Sequence, residues 1–92
     1  MRRIDIGGQF KKDLKLARKR HLPEEELNKI IWKLANDEPL PSANRDHALH
    51  GDYEGTRECH IMPDWLLIYS KENEDSVQIL SLIRTGSHSS LF

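Results

Sequence analysis

The spacing of the apolar residues changes along the chain, and this change limits the folds that the chain can adopt. In residues 9–20 and 23–36, apolar side chains recur every three or four positions, which is the repeat of an amphipathic helix. Further along, three shorter apolar runs at 57–62, 65–71 and 76–84 are separated by turn-forming residues, as strands are. The sequence therefore predicts two helices followed by three strands.

The N-terminal segment and the prolines complete the predicted order. Ile4 and Ile6 alternate with charged residues, as on a half-buried first strand. Pro23 suits the start of the second helix, and Pro39 and Pro41 end it. The order β-α-α-β-β-β predicts an α+β fold, with two N-terminal helices on one face of a mainly antiparallel four-stranded sheet. We expect the other face to have no helix over it and to be open to a partner.

The length bounds the size of the core. At 92 residues the chain has room for one modest hydrophobic core, so we expect a single domain over residues 1–92. No apolar run reaches the roughly 20 residues of a membrane-spanning helix, and the N-terminus lacks a signal-peptide pattern. These features predict a cytoplasmic protein without a membrane partner.

The chain has one cysteine, Cys59. A single cysteine excludes an intramolecular disulfide and every zinc motif that needs a cysteine pair. Because unpaired cysteines are usually buried, we expect Cys59 to be a small core residue and not a nucleophile.

Charge is distributed unevenly, although the net charge is only -1. Residues 1–20 carry eight Lys or Arg and two Asp or Glu, a balance of +6, and the remaining 72 residues carry six and thirteen, a balance of -7. The basic end could contact phosphates through Lys11, Lys12 and Lys15. Charge alone leaves an ordinary solvated helix face as an equal alternative.

Five histidines are many for so short a chain, and four lie in its second half: His47, His50, His60 and His88. They lack the spacing of the common metal motifs, so the sequence predicts neither a metal nor another cofactor. A metal site assembled in space from separate elements is the minor alternative.

These histidines suit acid-base cleavage of RNA. Cleavage without a metal needs a base for the 2′-hydroxyl proton, an acid for the leaving 5′-oxygen and a cation for the phosphate charge. Histidine exchanges protons near neutral pH, and Arg84 can hold two phosphate oxygens at once.

The aromatic residues Tyr53, Trp65, Tyr69 and Phe92 are candidates for stacking on unpaired bases. For Trp65 and Tyr69 the alternative is packing within a strand, which is favoured for Tyr69. Phe92, the last residue, is expected to fray unless the core or a ligand holds it.

Four motifs together resemble one family. The segments 46–51 (Asp-His-Ala-Leu-His-Gly), 55–61 (Gly-Thr-Arg-Glu-Cys-His-Ile), 63–69 (Pro-Asp-Trp-Leu-Leu-Ile-Tyr) and 84–92 (Arg-Thr-Gly-Ser-His-Ser-Ser-Leu-Phe) occur in this order. They resemble the YafQ-like branch of the RelE/ParE toxin superfamily, and the basic first helix also fits. The resemblance covers essentially the whole chain.

The resemblance implies a RelE-like fold and a toxin that cuts mRNA in the ribosomal A site. It also implies mRNA, the ribosome and a cognate antitoxin as partners. The active site that it implies comprises His47, His60, Asp64, Arg84 and His88. His88 would be the central acid or base, Arg84 would stabilise the transition-state phosphate, and Phe92 would lie beside the substrate.

Some features depart from the family or favour other functions. Thr56 stands where relatives often carry an aromatic residue, the net charge is less positive than is usual for ribosome-binding toxins, and no family role transfers to His50. The first alternative is a non-enzymatic ParE-like toxin that inhibits DNA gyrase by binding, and the second is an RNA-binding module. Neither alternative needs His47, His60 and His88 together with Arg84.

Overall fold

The computed structural model describes residues 1–92 and confirms the α+β class. Its elements are β1 (Arg3–Ile6), α1 (Gly8–Lys19), α2 (Glu24–Ala35), β2 (His47–Ala48), β3 (Arg57–Met62), β4 (Trp65–Glu74), β5 (Val77–Gly86) and α3 (His88–Leu91). The sheet has five strands where the sequence predicted four, because the two-residue β2 lies between the second helix and the strand at 57–62, where no strand was predicted. The C-terminal helix α3 was also not predicted. None of the helices has the length and apolar character needed to cross a membrane.

The strands lie in the order β1-β5-β4-β3-β2, with β1 parallel to β5 and all other neighbours antiparallel. The chain turns directly from β1 into α1 at Gly7, whose backbone N–H donates to the carbonyl oxygen of Leu82 at 3.0 Å. A Cβ atom on Gly7 would lie 3.0 Å from that same oxygen, so glycine permits this close turn.

The main core lies between the two long helices and one face of the sheet, which we call the helix-covered face. Its 12 buried residues are Phe10, Ala17, Leu27, Ile30, Leu34, Ala35, Cys59, Trp65, Leu67, Tyr69, Leu80 and Leu82. Cys59 is fully buried, as predicted, and burial raises the pKa of its thiol to about 12. Trp65 is only 2% exposed. Its predicted role in stacking on a base is therefore wrong, because no face of the indole is accessible.

The opposite face, which we call the catalytic face because the predicted site residues His60 and Arg84 lie on it, is partly covered, contrary to the expectation of an open sheet. Leu66, Ile68 and Leu91 form a small buried cluster there, and Leu49 and Tyr53 pack against it. The cover comes from α3 and from the connection before β3, and not from a long helix. The remaining part of this face carries polar side chains.

A β-bulge changes which face of the sheet Arg84 occupies. On β5, Leu80 and Leu82 point to the helix-covered face, so strict alternation would send Arg84 there too. The register shifts instead: Leu82 pairs with Tyr69, and Arg84 pairs with Ile68. The extra residue, Ile83, brings Arg84 to the catalytic face.

The hairpin between β4 and β5 is tighter than predicted. The sequence suggested a four-residue turn at 72–75, but β4 continues to Glu74 and only Asp75 and Ser76 lie between the strands. Asp75 adopts a φ of 53°, a left-handed conformation that aspartate tolerates better than most residues.

A cluster of charged groups ties this hairpin to the end of α2. The carboxylate of Asp37 accepts from Arg2 Nε and from Lys71 Nζ, each at 2.8 Å. Arg2 also donates to Asn73 Oδ1 at 3.2 Å. These hydrogen bonds, from Lys71 first and then from Arg2, lower the pKa of Asp37 to about 2.

Candidate active site

Strand register builds the candidate site in two rows across the catalytic face. In the first row His47 on β2 opposes Glu58 on β3, Glu58 opposes Ile68 on β4, and Ile68 opposes Arg84 on β5. Residues that oppose one another point to the same face, and neighbouring strands are about 4.8 Å apart. Residues from four strands therefore share one face within a short span.

The second row is shorter and leads into α3. His60 opposes Leu66, and Leu66 opposes Gly86, two residues before His88. The rings of His60 and His88 lie 5.5 Å apart, centroid to centroid. Two histidines that are 28 positions apart in sequence thus become neighbours, because α3 folds back over the sheet.

Glu58 is the functional candidate that sequence reasoning missed. Its side chain is 4% exposed, and Oε1 lies 3.4 Å from His60 Nε2 and 3.8 Å from His47 Nε2. A buried carboxylate is costly unless it is paired, and these imidazoles are the only basic groups within 4.0 Å of it. The sequence could have indicated Glu58, because side chains alternate between the two faces along a strand. On β3, Cys59 points into the core, so Glu58 and His60 on either side of it share the opposite face.

Backbone and side-chain contacts fix the segment that carries His47. Its Nδ1 lies 2.6 Å from the carbonyl oxygen of Arg45. Because a carbonyl only accepts, Nδ1 carries the proton and Nε2 is left to exchange one. Asp46 accepts from Tyr69 Oη at 2.6 Å and from Arg57 Nε at 3.2 Å. The Tyr69 ring is buried, which confirms its favoured role in packing.

His88 is exposed and is held at its backbone. Its N–H donates to Asp64 Oδ1 at 3.2 Å, and its Nδ1 lies 3.5 Å from the same oxygen. Ser87 caps the start of α3 by accepting from the backbone N–H of Ser90 at 3.3 Å. The β3–β4 turn, through Asp64, and the helix cap together set the position of the ring.

Phe92 lies beside two aromatic neighbours. Its ring lies 5.6 Å from that of Tyr53 and 6.2 Å from that of His88, and its backbone N–H donates to the His88 carbonyl at 2.9 Å. The Phe92 side chain is nevertheless largely exposed. An aromatic surface thus lies directly beside His88.

Arg84 reaches the edge of this surface and is held by α1. Its Nε and Nη2 donate to the two oxygens of Asp13, at 2.8 Å and 3.2 Å. The pKa of Arg84 is raised, first by these hydrogen bonds and to a smaller degree by the nearby Tyr53 hydroxyl. Burial by itself raises the pKa of Asp13, but the hydrogen bonds from Arg84 and from the backbone of Thr85 outweigh burial and lower it.

An open cleft lies beside the two neighbouring histidines. His60 and His88 line it together with Asn44 and Arg45. The predicted phosphate contacts Lys11, Lys12 and Lys15 are exposed on α1, and none of them lines this cleft. His50 is exposed in the connection after β2, as expected.

The fold also assembles groups that could hold a metal. One ligand atom from each of Glu58, His60 and His88 lies within 4.8 Å of the others. Two imidazoles and a carboxylate suit zinc or copper. Sequence spacing gave no sign of this set, because its members come from β3 and α3.

Comparison with known proteins agrees with the motifs. A family model described as "Bacterial toxin of type II toxin-antitoxin system, YafQ" matches residues 2–92. The mRNA interferase toxin YafQ of Escherichia coli K12 is 41% identical over 92 residues, which cover 99% of this chain and 96% of that protein.

Two solved structures are similar along the whole chain. The metal-bound toxin from Helicobacter pylori has a TM-score of 0.91 at 39% identity, covering 100% of both chains. YafQ in the E. coli DinJ-YafQ toxin-antitoxin complex has a TM-score of 0.81 at 41% identity, covering 99% of this chain and 97% of that one. With a family match over residues 2–92, the chain belongs to the YafQ family of bacterial toxins of type II toxin-antitoxin systems.

Proposed function

We propose that the chain is an mRNA interferase, an endoribonuclease that cuts messenger RNA by acid-base chemistry, with residues 1–92 acting as one toxin domain. The observation that supports this most is the buried Glu58 between His47 and His60, with His88 beside them. A protein that only binds a partner does not need several imidazoles around one buried carboxylate.

The two proton transfers of the reaction are assigned to different histidines. The 2′-oxygen attacks phosphorus as a base removes its proton, the bond from phosphorus to the 5′-oxygen breaks, and an acid protonates that oxygen. His88, exposed and held by Asp64, serves one oxygen. His60 and His47, held by Glu58, serve the other. The products are a 2′,3′-cyclic phosphate and a free 5′-hydroxyl.

Arg84 and Phe92 bind the parts of the substrate that do not exchange protons. The guanidinium stabilises the negative charge that builds on the phosphate oxygens. Phe92 offers an exposed ring next to His88, on which a base can stack. Lys11, Lys12 and Lys15 contact phosphates further along the RNA or on the ribosome.

The cellular setting follows from the family and from the charge distribution. Cleavage takes place on mRNA in the ribosomal A site, in the cytoplasm, where the basic first 20 residues, with a balance of +6, face ribosomal RNA. A cognate antitoxin silences the toxin, as the complex of the E. coli relative with DinJ suggests.

Catalysis needs no metal in this proposal. Imidazoles and a carboxylate that bind an ion no longer carry the protons that the reaction moves. A metal on Glu58, His60 and His88 would therefore inhibit cleavage. A chelator selective for transition-metal ions, which leaves the ribosome's Mg²⁺ in place, should not change the rate, and added Zn²⁺ should lower it; loss of activity with that chelator would contradict the metal-free mechanism.

The main test compares two single histidine substitutions on programmed ribosomes. We expect His88→Ala to lower the rate of mRNA cleavage about 100- to 10,000-fold, the usual effect of removing an acid or base. His50→Ala is the matched control, because His50 is exposed outside the site, and it should cut like the wild type. Primer extension on ribosome-bound mRNA, with free RNA alongside, measures both.

Three outcomes separate the functions. Equal cutting by His88→Ala would remove His88 from the mechanism. A wild-type chain that inhibits gyrase supercoiling and cuts no RNA would belong with the ParE-like binders. Binding of RNA without either activity would indicate an RNA-binding module.

A further inference from the structure

Asp13 is the one acidic residue of α1, and it does not face solvent as its basic neighbours do. Its side chain is 10% exposed. Four hydrogen bonds reach its two oxygens: from Arg84 Nε at 2.8 Å, from Arg84 Nη2 at 3.2 Å, from the Thr85 backbone N–H at 3.1 Å and from Gln9 Nε2 at 3.2 Å. So complete a set of donors holds the carboxylate in one position.

The same bonds fix the direction of Arg84. Asp13 takes the edge of the guanidinium formed by Nε and Nη2, so Nη1 lies outside this ion pair. A guanidinium has five N–H donors in one rigid plane, so engaging one edge orients the other. The Tyr53 hydroxyl lies close to the guanidinium. The Tyr53 ring is next to that of Phe92, and the Phe92 ring is next to that of His88.

We infer that Asp13 is a positioning residue for RNA cleavage, which holds Arg84 so that the N–H groups not bound to Asp13 meet the phosphate that His88 and His60 flank. This inference rests on the proposed function. The bulge at Ile83 explains why Arg84 needs to be held in position. It brings Arg84 to the catalytic face near the end of β5, beyond Leu82, the last residue of β5 that pairs with β1. The carboxylate from α1 provides that restraint.

A second ion pair on the same helix offers a matched control. Arg18 donates through Nε and Nη2 to Glu24 at 2.7 Å and 2.9 Å, with the same two-bond geometry. That pair joins α1 to α2, is more exposed, and contacts none of the site residues. Asp13→Asn and Glu24→Gln each remove one charge from such a pair without changing the size of the side chain.

The test is a double-mutant cycle read by single-turnover cleavage on saturating programmed ribosomes. We expect Asp13→Asn to lower the rate about 10- to 100-fold, the scale of a misplaced catalytic group. Arg84→Ala should lower it about 100- to 1,000-fold. In the Arg84→Ala background, Asp13→Asn should change the rate by no more than about twofold, because a positioning residue has no effect without its target. Glu24→Gln should cut at the wild-type rate.

The outcomes are distinguishable. Losses that multiply in the double variant would show that Asp13 acts independently of Arg84 and would overturn the inference, as would wild-type cutting by Asp13→Asn. A purely structural role would lower the melting temperature and leave the rate per folded molecule unchanged, so thermal unfolding is measured for every variant. A wild-type chain that does not cut would overturn the proposed function itself, and this inference with it.

Discussion

The two faces of the sheet are built from the same strands but have different contents. Leu67 and Ile68 are consecutive residues of β4, both fully buried, and they point to opposite faces. Leu67 belongs to the 12-residue core under α1 and α2, whereas Ile68 belongs to a cluster of three. The core of the first face consists of hydrophobic residues and contains no charged side chain, and on the second face Ile68 separates Glu58 from Arg84.

This difference suggests that the helix-covered face supplies most of the stability and that the catalytic face supplies the site. Burial of apolar surface stabilises a fold in proportion to its area, and the long helices cover most of that area on one face. The catalytic face buries less apolar surface, and its remaining positions carry the polar groups that we propose to contact the substrate. A paired substitution on β4 can test whether stability and activity are separated in this way.

Separate alanine substitutions of Leu67 and Ile68 should have the largest effects on stability, and they should differ most clearly in their effect on cleavage. We expect Leu67→Ala to lower the free energy of unfolding by about 2–5 kcal/mol, because a closed core cannot collapse around the cavity. Cleavage per folded molecule should not change. Ile68→Ala should cost about 2 kcal/mol, because a cluster of three can rearrange, yet it should slow cleavage by disturbing Glu58 and Arg84. Urea unfolding and ribosome-bound primer extension measure the two effects, and equal loss of activity in both variants would remove the contrast.

Gly86 should show an intermediate effect that is confined to the catalytic face. A Cβ atom there would lie 2.6 Å from Ser90 Oγ and 3.4 Å from Leu91 Cδ2, so either α3 shifts or the Ser90 hydroxyl rotates away from the Ser87 carbonyl oxygen to which it donates. We expect Gly86→Ala to cost about 1 kcal/mol of stability through overpacking. Because α3 carries His88, cleavage should fall about tenfold or more.

Gly8 is the matched control for that substitution. A Cβ atom on Gly8 meets nothing within 4 Å, and the residue begins α1. Gly8→Ala should keep full activity and raise stability by about 0.4–1 kcal/mol. Wild-type cleavage by Gly86→Ala would show that α3 does not need its close contact with the sheet.

Substitution of Asp37, at the rim of the helix-covered face, should have the smallest effect on stability, and this effect should depend on pH. Its pKa is lowered from 3.8 to about 2 by Lys71 and Arg2, so its charged form is favoured in the folded state. The stabilisation is present above pH 4 and is lost as the pH falls from about 4 to about 2. Because the carboxylate is half exposed, Asp37→Asn should cost about 0.2–1 kcal/mol near neutral pH.

The measurement is the melting temperature of both proteins as a function of pH. The gap between the wild type and Asp37→Asn should close below pH 2, and cleavage at neutral pH should be the same for both. A gap that persists at low pH would mean that Asp37 stabilises the fold in another way than by its charge.

The sequence located the long elements closely. The predicted helices, at 9–20 and 23–36, differ by one residue from α1 and α2 at each end. Repeats of three or four positions identify such helices because each one buries a continuous stripe. Elements as short as β2 and α3 contain no such repeat, so the sequence did not predict them. The polar residues at the ends of β4 and β5 also lack a repeat, so the predicted turn between them was too long.

The candidate site was partly predictable, through residue chemistry and the family motifs. His60 and His88 were named and lie side by side, while His47 reaches them only through Glu58. Trp65 was misjudged because an aromatic residue on a strand can face either side, and the register alone decides which.

The sequence by itself determined the α+β class, the order of the main elements, the basic first helix and the histidines and arginine on which the proposed chemistry depends. Those features depend on residue type and on local spacing, which the chain carries everywhere. Only the tertiary structure decided that a bulge turns Arg84 to the catalytic face, that Asp13 meets it there, and that Glu58 lies beneath two imidazoles. The reason is physical: one added residue in a strand reverses every later side chain, and contacts between distant segments exist only after the strands have paired.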